Sequence, residues 1–114
     1  MTVVNITVYN DADFYRSFAW QTLAGSPLDL TGGTMEMMLR RHAKDEVAVM
    51  RLGSDTGEIK ITDPINGIFT VRIAQIELER LALGEFDHSN IFNRNGYKVR
   101  VWNGLFTNNA GSTR

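Results

Sequence analysis

The chain has 114 residues, 43% of them apolar and 22% charged, with a formal net charge of −1; this is ordinary globular composition with room for one packed core, hence one domain over 1–114. So small a net charge supplies no broad positive field for nucleic acid, and no run approaches the about 18 apolar residues of a membrane span. Cysteine is absent, which excludes disulfides, thiolate nucleophiles and thiolate zinc sites.

The first segment, "MTVVNITVYNDADFYR", has no basic region ahead of an apolar run, so export by the general secretory route is not expected. "VVNITVY" alternates Val4, Ile6 and Val8 against Asn5, Thr7 and Tyr9, as a strand with one buried face does. "DFYRSFAWQTL" (13–23) puts Phe14, Phe18 and Trp20 in one phase, broken by Arg16. After "AGSPLDLTGG", "TMEMMLRR" groups Met35, Met37 and Leu39. "VAVMRL" (47–52) is apolar nearly throughout, and "EIKIT" gives Ile59 and Ile61. "GIFTVRI" aligns Phe69, Val71 and Ile73. "IAQIELERLALG" departs from period two: Ile73, Ile76 and Leu81 predict a short helix near 74–82, with Glu79 and Arg80 in solvent and Gly84 as its stop. "EFDHSNIF" groups Phe86, His88, Asn90 and Phe92, "YKVRVW" groups Tyr97, Val99 and Val101, and a last short strand, "GLFT", follows. The connections "AGSP", "TGG", "GSDTG", "DPING" and "NRNG" are turn chemistry, and both prolines, Pro27 and Pro64, fall in turns. Frequent turns between alternating strands predict an antiparallel sandwich or barrel.

Few residues suggest chemistry. "DLTGGTMEMM" lacks the lysine and the following helix of a phosphate-binding loop. It reads better as a corner in which Asp29 and Thr31 accept backbone hydrogen bonds and Gly32 or Gly33 takes an unusual φ. His42 and His88 lack metal-ligand spacing; His88, in phase with Phe86 and Phe92, reads as a core-edge histidine bonded to backbone, and His42 as solvated. Asp11 with Asp13, and Asp55 with Glu58, depart from the calcium-loop pattern and read as turn-stabilising. No catalytic, cofactor or metal residue is assigned, and no cofactor is expected. Tyr15 and Trp102, in exposed phase, and the arginines Arg40 and Arg41 are candidate interface residues, and Tyr15, Tyr97 or Trp102 could stack on a sugar.

The order of these features resembles the small β-sandwich modules of tailed-bacteriophage virion proteins and is similar to the N-terminal domain of upper baseplate proteins. The matching residues are Gly25, Pro27, Asp29, Leu30, Thr31, Gly32 and Thr34, then Gly67, Phe69 and Val71, then Leu81, Gly84 and Phe86, and finally Val101 and Gly104. Together they span roughly residues 13 to 107. His88 and Ser89 stand where that pattern has an aromatic–Asp pair. Larger members continue into a fibre or receptor-binding region, whereas this chain ends at Arg114.

The resemblance implies an immunoglobulin-like antiparallel β-sandwich of about seven or eight strands with one short helix. It implies a non-enzymatic virion component, assembled in the host bacterial cytoplasm, serving as a tail or baseplate assembly or attachment subunit. Its partners would be other virion proteins and copies of itself, docked through sheet edges and loops, with no nucleic acid or membrane. The alternatives are a carbohydrate- or receptor-binding module and a head decoration protein; a small hydrolase using Asp or Glu is a more distant rival.

Overall fold

A computed structural model describes residues 3–22 and 24–113. Leu23, at the end of the second predicted strand, and Met1, Thr2 and Arg114 lie outside the described residues. Eight strands and one helix follow in the order β1 (Ile6–Tyr9), β2 (Phe14–Ala19), β3 (Thr34–Arg40), β4 (Met50–Gly53), β5 (Ile59–Asp63), β6 (Ile68–Ile73), α1 (Gln75–Arg80), β7 (Gly84–Arg94) and β8 (Tyr97–Asn109). They form two sheets, β1-β8-β7-β3-β4 and β2-β6-β5, with the apolar core between them. The chain is an all-β sandwich.

The alternating residues fill the core as their period requires. Ile6, Val8, Met35, Met37 and Leu39 from the larger sheet meet Phe69, Val71 and Ile73 from the smaller one, all buried. Each such side chain removed from water contributes roughly 1.5–3 kcal/mol, so the period-two pattern decides which face of each strand turns inward.

Several expectations change. "YKVRVW" and "GLFT" are one strand, β8, which runs through Gly104. Gly104 does not break the strand; it admits the segment just before β1, because a Cβ there would run into the Val4 carbonyl oxygen. "VAVMRL" is a strand only from Met50, and Val47 and Val49 are exposed. The sheets are not wholly antiparallel, since β1 pairs with β8 in parallel, Ile6 opposite Phe106 and Tyr9 opposite Asn109. Those strands sit at opposite ends of the chain, with no tight turn between them to force an antiparallel arrangement.

The helix lies within the predicted span, but its buried residue is Leu78, while Ile76 is exposed. It ends at Leu81, whose extended backbone carries the chain onward, so Gly84 is not its stop. Gly84 (φ 116°) instead opens β7. Both helix ends are satisfied from elsewhere in the fold: Asp13 Oδ1 accepts the Gln75 N–H at 2.6 Å. Asn108 Nδ2 donates to the carbonyls of Leu78 (3.0 Å) and Leu81 (3.2 Å).

Candidate interaction surfaces

The corner that links the two sheets is built as its residues suggest. Asp29 Oδ1 accepts the Thr31 hydroxyl at 2.6 Å and the Thr31 N–H at 2.9 Å. Those bonds, the hydroxyl foremost, hold the Asp29 carboxyl below its usual range. Gly32 takes φ 76°, and Leu30 drops into the core. Pro27 bridges to Gln21. Gly67 (φ 68°) closes against this corner, where a Cβ would sit 2.6 Å from the Trp20 carbonyl oxygen and 2.7 Å from that of Leu28; only glycine satisfies both the φ and the space.

Trp102 is not a surface residue. It is 3% exposed and packs on Phe18 (ring centroids 4.7 Å apart) and Phe69 (5.6 Å). The cause is a β-bulge: Asn90 faces Trp102 while the next residue, Ile91, faces Arg100, which leaves Val101 as an extra residue on β8. Val101 and Trp102 both turn inward, and the phase of β8 reverses across them. Strict alternation from Tyr97 places Trp102 outside; one inserted residue brings it in, removing it as an interface or sugar platform.

His88 is buried beside Trp102. The Trp102 indole Nε1–H lies 3.4 Å from His88 Nδ1, and His88 Nε2 lies 2.9 Å from the Val4 carbonyl oxygen. A neutral ring protonated at Nε2 satisfies both contacts. Burial pushes its pKa below the ordinary 6.5, against smaller opposing effects from the Val4 and Leu105 backbone and Asp87. His42 is exposed, as expected.

The two arginines are fastened to the fold. Arg40 Nη1 donates to the Asp45 carbonyl at 3.0 Å. Arg41 Nη1 donates to the Glu85 carbonyl at 3.0 Å, with its guanidinium 4.3 Å from the Phe86 ring centroid. Arg40 closes the segment after β3 on itself, and Arg41 straps that segment to the start of β7. Tyr15 is 69% exposed on the edge strand β2. The structure therefore does not gather Tyr15, Arg40, Arg41 and Trp102 into one surface.

The surface that sequence reasoning touched only through Tyr97 is the end of the β7–β8 hairpin. Tyr97 and Val99 are on the same face as the core residue Phe92, yet they are 77% and 47% exposed. Among the described residues, no strand of the smaller sheet covers them. Beneath them, Trp20, Leu28, Phe92 and Val99 line an apolar cleft of about 480 Å³, with Arg94 and Asp29 at its rim. Arg94 Nη1 donates to the Asp29 carbonyl at 3.0 Å, which fixes the arm to the corner. The sequence signal was available in Tyr97 and Val99, but alternation reports a face and not whether another sheet covers it.

Sheet edges offer less than expected. β1 and β4 are four residues each, and β5 carries an irregularity between Ile61 and Asp63. On β2, Arg16 occupies the inward phase, 5.0 Å from the Phe18 ring centroid. Short strands, bulges and inward charges all discourage strand addition.

No protein-family model matches the chain, and no curated protein matches it. Among solved structures it is similar to the N-terminal domain of phage TP901-1 ORF48, at 14% sequence identity and a TM-score of 0.47, covering 97% of this chain and 86% of that one.

Proposed function

We propose that this chain is a non-enzymatic structural component of a phage or prophage particle, placed in the tail or baseplate, where it works by docking against other virion proteins. The reading draws on the ordered sequence pattern from Gly25 to Gly104 and on the β-sandwich that the pattern implies. The observation that carries its docking role is the uncovered inner face of the β7–β8 arm. A strand face in core phase that leaves Tyr97 and Val99 in solvent exposes apolar surface that a monomer gains nothing by exposing. Because the sheet edges are short, bulged or guarded, the contact is made by side chains on the arm and in the corner loops.

Particles purified from a host that expresses this chain provide the test. Mass spectrometry should find it at a fixed copy number, and antibody labelling should place it on the tail or baseplate. Particles that are complete and infectious without it would overturn the reading.

A further inference from the structure

We infer that the outer face of the larger sheet carries a saccharide-binding groove, separate from the arm and its apolar cleft. The register of β3, β7 and β8 builds it. Arg40 stands opposite Asp87, Met38 opposite Ser89, and Glu36 opposite Ile91. On the other side of β7, Ser89 faces Asn103 and Ile91 faces Arg100. Directly opposed residues share a sheet face, and the alternate residues Met37, Leu39, His88 and Asn90 are buried on the other face. The groove side chains therefore point away from the core. Ser89, short and central among them, leaves a depression of about 360 Å³, at the small end of the roughly 300–1,000 Å³ of ligand pockets.

Charge alternates around that depression. Arg40, Asp87, Arg100 and Glu36 follow one another round its rim, and none forms an ion pair with another. Three of them are held from outside the groove. Arg51 Nη2 donates to Glu36 Oε2 at 2.7 Å, the Ala43 N–H donates to Asp87 Oδ2 at 2.8 Å, and Arg40 donates to the Asp45 carbonyl. Each carboxylate keeps one oxygen without a partner among the described residues. The side chains of Ser89, Arg100 and Asn103 make no hydrogen bond or ion pair among the described residues either.

This set of groups selects its ligand by elimination. An anion at the centre would face two carboxylates, and a cation would face two guanidiniums. An apolar ligand would strip water from the charged rim and replace none of its hydrogen bonds. A zwitterion needs a half-ring of each sign, which the alternation denies it. A hydroxyl group both donates and accepts. Neighbouring hydroxyls can therefore donate to a carboxylate and accept from the guanidinium next to it, in charge-assisted bonds. Met38 and Ile91 supply apolar surface for the C–H face of a sugar ring.

Titration of the full chain with glucose, galactose, rhamnose, maltose and lactose, followed by nuclear magnetic resonance of the backbone amides, tests the groove. At least one sugar should give saturable shifts at Met38, Ser89, Arg100 and Asn103, with millimolar affinity. A disaccharide bound more tightly than its monosaccharide would mark a glycan chain as the source, and equal affinities a free sugar. Arg100→Ala breaks no side-chain bond within the fold, and Ser89→Leu fills the depression; each should weaken binding by roughly tenfold and leave the rest of the spectrum in place. Lys60→Ala, at an exposed position on β5 in the smaller sheet, should bind as the parent does. Glycine and inorganic phosphate, as zwitterion and anion, should not compete. No saturable shift with any of these sugars, binding that survives both groove variants, or tighter binding of glycine or phosphate would overturn the inference. The arm lies on the opposite face of the sheet, so the assembly role and saccharide binding can fail independently.

Discussion

His88 shows how one side chain can tie a protein's stability to pH. Its Nδ1 accepts the Trp102 indole N–H and its Nε2–H reaches the Val4 carbonyl, so a second ring proton would have to displace Trp102. Its pKa in the folded chain is depressed by burial from the ordinary 6.5. Stability from this group is therefore fully present above about pH 6.5 and is lost as pH falls through the lower folded value. Urea denaturation between pH 7.5 and 4.5 should show stability declining from about pH 6.5 downward, and His88→Gln should flatten that part of the profile. Trp102 fills the space between the sheets against Phe18 and Phe69. Trp102→Ala should cost about 3–5 kcal/mol, measured as a lower urea midpoint. A surface tryptophan would lose almost nothing on that change. At Gly104 the concern is space: Gly104→Ala should push the segment before β1 off β8, read as faster hydrogen exchange of the Val4 amide, which bonds the Asn103 carbonyl at 2.9 Å.

At the scale of elements, the six-residue helix is the least self-sufficient part. Helices shorter than about 12 residues are marginal alone, and Ala74 gives α1 no side-chain cap of its own. Its ends are satisfied by Asp13, from the turn before β2, and by Asn108, from the last strand. Asn108→Ala should cost about 1–3 kcal/mol by leaving those carbonyls without a donor, and the loss should show as faster exchange confined first to the helix. The strands were legible as alternating runs because burial of one face imposes period two. Two elements were read with the wrong inward residues, α1 and the middle of β8. In α1, Leu78 is buried because the strand before and the turn after set the helix rotation, which six residues of pattern underdetermine. In β8, one extra residue at Val101 reverses the phase, and no residue type in "VRVWNG" marks a bulge.

For the whole molecule, two neighbouring strands of the larger sheet, β1 and β8, come from distant parts of the chain. Ile6 pairs with Phe106 and Tyr9 with Asn109, so the first strand closes only after the last is in place. Domains dominated by such distant pairings fold in milliseconds to seconds. Stopped-flow refolding followed by the fluorescence of Trp20 and Trp102 should fall in that range, not among microsecond folders. A net charge of −1 describes the whole chain but conceals its division, since the arm carries cations only. The arm as a surface was not legible either: Tyr97 and Val99 obey the core pattern, and only the shorter reach of the second sheet exposes them.

By itself the sequence determined the strand runs, the turns between them, the Asp29–Thr31 corner, the buried backbone-bonded histidine and the all-β class. Each follows from local chemistry: period-two burial, residues that tolerate positive φ, and short polar side chains that bond nearby backbone. The tertiary structure alone decided that β1 runs parallel to β8, that Trp102 turns inward, that distant residues cap α1, and that the β7–β8 arm stands uncovered. Those outcomes depend on which segments meet across about 100 residues of chain, and residue order constrains such meetings only through the packing of the whole.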